Sequence, residues 1–375
     1  MYLRNLHLHS FRNYQNQQVE FTSQKTILVG NNAQGKSNLL ESVELLSTLK
    51  SHRASRDREL VLEQAQAGRI QATLERAYGT LELAITLRNQ GRRTLNLNGE
   101  SLQRHIDFLG TLNAVQFSSL DLELVRGAPE CRRLWLDGLL VQLEPVYAHI
   151  LQQYQKVLRQ RNSLLKAIRA SESPQENYQS QLALWDAQLA ATGSRVTRRR
   201  ARVIARLAPL AQTWHSLISG KTEVLGVKYA PNVSWSEDIP QQVQQAFLDK
   251  ISQRRIPEMQ QGRTVVGPHR DEVEFTINET PARFYGSQGQ QRTLVLALKL
   301  AELKLIEEVV GEPPLLLLDD VLAELDLNRQ NQLLETIQDR FQTLVTTTHL
   351  NTFDAQWLQA SQILSVEGGK IVQMS

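Results

Sequence analysis

The sequence predicts a mixed α/β fold, built from both ends of the chain and interrupted by an inserted α-helical segment. Three observations carry this. An apolar run, a glycine loop and a helical pattern stand contiguous between residues 27 and 48. Apolar residues keep 3–4 spacing from Val146 to Ile168 and again from Tyr178. After residue 290 come a helix, an apolar run closed by two aspartates, a second helix and a further strand.

Taken in order, Leu3, Leu6 and Leu8, then Val19 and Phe21, mark short strands, and Ile27-Leu28-Val29 is a buried strand ending at Val29. In the helix that follows the loop, Leu39, Leu40, Val43 and Leu46 recur at helical spacing. From 67 to 98 the alternation of Leu81, Leu83, Ile85 and Leu87, a turn at Asn89-Gln90-Gly91, and Leu95 and Leu97 before Asn98-Gly99 predict an antiparallel β-lobe. Val146, Ile150, Tyr154, Val157, Leu164 and Ile168 then form the stripe of a long amphipathic helix. Ser173, Pro174 and Glu176 read as the cap, first helical position and capping-box residue of a second helix. Tyr178, Leu182, Trp185 and Leu189 continue the stripe there, so the two helices pair as an antiparallel hairpin. Arg161 falls on the apolar stripe and argues against a long coiled coil, so the arm is short. The last third gives a helix at about 290–310, a break at Gly311-Glu312-Pro313-Pro314, the strand Leu315–Leu318, a helix near 328–340 and a strand at 343–349. The expected divisions are 1–120 and 265–375 for the two parts of an α/β head, and 121–264 for the arm.

With 375 residues, 41% hydrophobic and 22% charged, the chain has a globular rather than a disordered composition and room for two or three domains. A single cysteine, Cys131, allows no internal disulfide. The N-terminus lacks the charged and long apolar regions of a signal peptide, and no apolar run approaches the roughly 20 residues of a membrane span. A cytoplasmic protein without a membrane partner is expected. The formal charge of +3 says little until it is divided. Residues 121–264 hold 20 Lys and Arg against 13 Asp and Glu, net +7, and the remainder is net −4.

The chemistry is concentrated in a few places. Gly30-Asn31-Asn32-Ala33-Gln34-Gly35-Lys36-Ser37 fits G-x-x-x-x-G-K-[ST] between a strand and a helix, the context in which backbone N–H groups and a helix N-terminus cradle phosphates. These residues and Asn38 are expected to bind ATP. Lys36 contacts the β- and γ-phosphates and Ser37 holds Mg²⁺. Asp319 and Asp320, at the end of the apolar strand, supply the second half: Asp319 supports the metal and Asp320 polarises an attacking water.

Tyr285-Gly286-Ser287-Gln288-Gly289-Gln290-Gln291-Arg292, opening the 290–310 helix, resembles the signature of ABC-type ATPases. In that family the signature closes on the γ-phosphate held by a second molecule. The resemblance therefore implies an ATP-dependent homodimer, with Ser287 and Gln288 acting in trans and Ala323-Glu324-Leu325-Asp326 across the seam. It also implies Gln116 as a glutamine touching Mg²⁺, and His349 as a switch histidine at a strand end.

Phe11-Arg12-Asn13-Tyr14, Gly127-Ala128-Pro129 with Arg132-Arg133 and Leu136-Asp137, Gly267-Pro268-His269-Arg270-Asp271, the Ser287 turn and the Leu315–Asp326 segment together resemble the RecF family over nearly the whole chain. The resemblance implies a head like that of SMC-type proteins with only a short arm, and Arg12 and Asn13 near the nucleotide. It further implies ATP-dependent dimers on gapped, junction or single-stranded DNA that work with RecR and RecO to load RecA. Where many ABC ATPases carry Glu, this chain has Asp320, so slow hydrolysis and a long-lived closed state are expected.

On the arm, Arg195, Arg199, Arg202 and Arg206 fall on one helix face, with Arg198 and Arg200 beside them, a stripe suited to DNA phosphates. Lys50, Arg53, Arg56 and Arg58 form a second basic group that can face DNA across the dimer. Two other classes compete. A P-loop kinase or phosphotransferase needs an acceptor pocket and no trans signature, and an SMC-like tether needs a much longer heptad arm.

Overall fold

The computed structural model describes residues 1–171, 177–322, 327–337 and 340–373. The chain divides into two compact units, one of Met1–Leu122, Thr213–Glu223 and Gln288–Ser375, the other of Glu123–Gln212 and Val224–Ser287.

The first unit begins with β1 (Tyr2–Phe11), β2 (Tyr14–Glu20), β3 (Lys25–Val29) and α1 (Lys36–Thr48). It continues with β4 (Ala67–Arg76), β5 (Gly79–Arg88), β6 (Thr94–Leu97), β7 (Glu100–Leu102) and β8 (Ala114–Ser118). The second unit supplies α2 (Glu123–Arg126), α3 (Pro129–Leu143), α4 (Val146–Ala170) and most of α5 (Asn177–Ile218). It then adds β9 (Leu225–Ala230), α6 (Pro240–Gln261), β10 (Glu272–Ile277), β11 (Thr280–Pro281) and α7 (Ala282–Tyr285). The chain re-enters the first unit with α8 (Gln288–Val310), β12 (Leu315–Asp319), α9 (Leu327–Ile337), β13 (Thr343–Thr347), α10 (Ala355–Gln359), β14 (Ser361–Glu367) and β15 (Lys370–Gln373).

Two six-stranded sheets make the first unit. The lobe is antiparallel, in the order β2-β1-β4-β5-β6-β7. Its strands alternate buried and exposed residues, as β4 does with Gly68, Ile70, Ala72 and Leu74 inward, so one face is covered and the other open. The second sheet runs β15-β14-β3-β13-β12-β8 and is parallel from β14 to β8. Its central strands are apolar or Thr-rich and buried on both faces, Leu315–Leu318 and Thr343–Thr347 included. The register aligns the carboxyl ends of three strands: Val29 pairs with Thr347, and Thr346 with Asp319. In open α/β sheets ligands bind at such ends.

The second unit carries a sheet of its own, β11-β10-β9, in addition to its helices. Residues 265–287 fall in this unit because β10 pairs along its whole length with β9, from Glu272 with Ala230 to Ile277 with Leu225. Arg161 is fully buried, as its place on the stripe requires. Its guanidinium donates to Asp186 (2.8 Å), Glu258 (2.6 Å) and Thr264 (2.9 Å). A second buried network centres on Arg200, which donates twice to Asp137 at 2.9 Å and to the Pro268 carbonyl at 2.7 Å. Asp137 also accepts from Tyr147, and Asp271 from Tyr229 and the Asn232 amide.

The expected capping box at Ser173, Pro174 and Glu176 and the loop Ala323–Asp326 lie outside the described residues. Among the described residues no helix is long and apolar enough to cross a membrane.

Candidate functional site

The loop from Gly30 to Ser37 leaves β3 and opens α1 as expected. Gly30 passes so close to β14 that a Cβ there would lie 2.3 Å from the Val366 carbonyl oxygen. Gly35 caps α1 with φ 121°, a conformation that side chains oppose. The loop is braced from outside. Asn13 Nδ2 donates to the Gln34 carbonyl (2.8 Å), the Tyr14 hydroxyl to the Gly35 carbonyl (2.9 Å), and the Gly369 amide to Gln34 O (2.9 Å). Asn38 Nδ2 donates in turn to Asn13 Oδ1 (2.9 Å). Asn13 is thus a buttress of the loop. Its neighbour Arg12 turns to the buried Glu41, with bonds of 2.8 and 2.6 Å, and to the Glu59 carbonyl.

Lys36 is buried, and its Nζ donates to the carbonyls of Gly30 (2.8 Å) and Asn31 (3.1 Å). Ser37 Oγ donates to Asp319 Oδ1 at 2.7 Å, joining residues 282 positions apart. Thr346 Oγ1, at the end of β13, donates to the same Asp319 oxygen (2.8 Å) and accepts from the Asp320 amide (2.9 Å). Thr346 was not singled out from the sequence: only the register of β12 with β13 brings it to the aspartates. Asp320 itself adopts φ 53°, in the sparsely populated left-handed region. Burial pushes its carboxyl above the ordinary range, the charge of Asp319 adds to this, and Lys36 opposes it.

Gln116 lies within β8, inside a strand rather than on a loop after one. Its Oε1 is buried without a hydrogen-bond partner, while its amide nitrogen lies 3.5 Å from His52 Nε2. His52 is held by Glu44 at 2.7 Å. Burial works against charge on its ring, but Glu44, with Glu41 and Asp319, outweighs it and raises the pKa. His52 was also missed, because nothing local marks a histidine beyond the end of α1 as a neighbour of β8. Ser37 Oγ, the Asp319 carboxylate and the unpaired Gln116 Oε1 are hard oxygen donors, the kind that Mg²⁺ takes, so the residues fit the metal.

His349 is exposed, two residues beyond the end of β13, and its amide donates to Thr347 Oγ1 (3.2 Å). Ser287 and Gln288 are exposed at the start of α8. On α5, Arg195, Arg202 and Arg206 are exposed. Arg199 is ion-paired with Glu144 (2.9 Å), and Arg198 and Arg202 share Asp238 (2.5 and 2.6 Å). Arg53 and Arg56 are exposed, and Arg53 donates to Asn38 Oδ1 at 2.9 Å.

The family model of the RecF/RecN/SMC N-terminal domain matches residues 2–371. Relatives named DNA replication and repair protein RecF include one from Gloeothece citriformis, 71% identical over 99% of both chains, and one from Rippkaea orientalis, 72% identical over 99% of both. Two solved structures, described as the recombination mediator protein RecF with ATPrS and with ATP in the RecFOR pathway, are 30% and 31% identical. They cover all of this chain and 98% of theirs, at TM-scores of 0.92 and 0.91. The Smc head domain of Pyrococcus furiosus is similar in fold alone, with TM-score 0.55 at 16% identity.

Proposed function

This chain belongs to the RecF family of DNA replication and repair proteins, and from that premise we propose that it works as an ATP-gated clamp on DNA in recombinational repair. The observation that carries the reading is the hydrogen-bonded set Ser37, Asp319 and Thr346 beside Lys36, which unites the phosphate loop with the second carboxylate motif. Lys36 exchanges its bonds to the Gly30 and Asn31 carbonyls for phosphate oxygens when ATP enters. Ser37, Asp319 and Gln116 hold Mg²⁺, which when bound neutralises charge on the phosphates. Asp320 orients and deprotonates the attacking water. Its short side chain reaches the water poorly, so hydrolysis is slow. Ser287 and Gln288 close on the nucleotide held by a second copy, and His349 senses the γ-phosphate.

DNA contacts are assigned to the exposed arginines, Arg195, Arg202 and Arg206 on α5 and Arg53 and Arg56 beyond α1, with Arg199 released from Glu144 only at a cost. RecR and RecO are the proposed partners, with RecA loaded downstream on gapped, junction or single-stranded DNA in the cytoplasm. The relatives' names and the ATP-bound relative support this reading.

The test is to size the full chain with and without ATP and Mg²⁺, then with gapped DNA. A dimer that forms with ATP and is lost in Ser287→Arg is expected. A monomer under every condition overturns the clamp.

A further inference from the structure

Phe284 and Tyr285 are 72% and 74% exposed, more than any other large hydrophobic residue among those described. They are not on a fraying end. Ala282, at the start of the same short helix, is fully buried, and the Gly286 amide closes the turn on the Ala282 carbonyl at 3.1 Å. The rings are also arranged before any partner arrives. Phe284 meets Tyr285 edge-on at 6.4 Å, and the Arg283 guanidinium lies 5.4 Å from the Phe284 ring. Water therefore faces a fixed aromatic patch, and Ser287 and Gln288 follow within three residues of it, exposed as well.

We infer that Phe284 and Tyr285 are the anchors on which a second copy of this chain docks. The inference rests on the ATP-dependent dimer proposed above and names the side chains that hold it closed. An interface that brings Ser287 onto a partner's nucleotide must cover the two residues before the turn. At about 200 Å² per aromatic side chain, three-quarters exposed, the pair offers roughly 300 Å², more than a third of the ~800 Å² that each partner contributes to a stable interface. Exposed aromatics beside an arginine also occur on single-strand binding surfaces, but there they line a basic groove. Residues 279–288 hold one acid, Glu279, and one base, Arg283, and so carry no net charge of their own.

The experiment compares the wild-type chain, the double variant Phe284→Ser/Tyr285→Ser and the conservative Phe284→Tyr by sedimentation with ATP and Mg²⁺. Binding of a fluorescent ATP analogue to the dilute monomer and of a labelled oligo(dT) strand is measured alongside. The double variant is expected to weaken dimerisation at least a hundredfold with monomer ATP affinity unchanged within twofold, and Phe284→Tyr to stay within about threefold of wild type. Undiminished dimerisation of the double variant overturns the inference while leaving the clamp standing. Dimerisation intact with oligo(dT) binding lost overturns it in favour of a nucleic-acid platform. A wild-type chain that stays monomeric with ATP overturns the clamp itself, and this inference with it.

Discussion

The core of the second unit and the proposed nucleotide site of the first use buried charge in opposite ways. In the second unit the buried cations are matched to acids: Arg161 to Asp186 and Glu258, Arg200 to Asp137 and Asp271, Arg132 to Glu272. The first unit pairs its buried Lys299 with Asp121 and Glu302 in the same way, but its proposed nucleotide site is left incomplete. Lys36 rests on backbone carbonyls, Gln116 Oε1 has no partner, and Asp320 sits at a positive φ with its pKa raised. The difference separates charge that builds a fold from charge held for a ligand. It also explains why the arginine-rich sequence overstates the basic surface: several of those guanidinium groups never reach solvent.

The sharpest way to break the comparison is Arg161→Leu. It leaves the buried Glu258 without its cation and Asp186 with Arg255 alone, and is expected to cost about 3–5 kcal/mol, read from the urea midpoint. Lys36→Ala comes next: ATP binding should weaken at least about a hundredfold, some 3 kcal/mol by the usual tenfold per 1.4 kcal/mol, with little change in the thermal midpoint. Equal losses of stability in both variants would erase the distinction.

A further effect comes from pH. His269 Nε2 donates to the Thr264 carbonyl at 3.1 Å, and its Nδ1 accepts from the Tyr154 hydroxyl at 2.5 Å. Burial lowers its pKa from 6.5 to about 4, the Thr264 contact opposes this, and Arg270, Arg133 and Arg161 add to it. Between these values the unfolded chain binds the proton and the folded chain does not, so stability rises with pH from about 4 to 6.5 and is flat beyond. The span is about 3.5 kcal/mol at roughly 1.4 per pH unit. Asp271, whose carboxyl is pushed up by burial, slopes the other way, so the measurement is the difference between wild type and His269→Gln, which should remove the rise. The smallest effect tests the surface. Arg195→Glu with Arg206→Glu should weaken DNA binding about tenfold and flatten its salt dependence. Arg199→Glu sets a new acid against Glu144, and should lower stability as well as binding.

Much of this was legible beforehand where the signal is local. The phosphate loop, its strand and its helix are contiguous, and the apolar run ending at Asp319-Asp320 announces itself. Residues brought together by register were not legible: Thr346 and His52 reach the site only through strand and helix packing. The family motifs around Asp137 and Gly267–Asp271 could be recognised but not interpreted, and they prove to be parts of the buried Arg200 network. α6 was missed because it is polar almost all round, with only Val243, Phe247, Ile251 and Glu258 buried and Pro257 within it. β9 was missed because its residues do not alternate, only Leu225 being buried, whereas β10, with Val273, Phe275 and Ile277 inward, carries a local signal that was passed over.

The parallel sheet has one more consequence, for the order in which the protein can be made. β3 carries the phosphate loop, yet both strands that flank it, β13 and β14, are among the last to be synthesised. At roughly 5–20 residues per second, a ribosome needs on the order of half a minute between the two ends of that pairing. Throughout that interval the foundation of the loop has two bare edges, while the second unit, between them in sequence, is complete once Ser287 has been made. A nascent chain stopped before Thr343 is therefore expected to hold its inserted unit folded and to have no affinity for ATP.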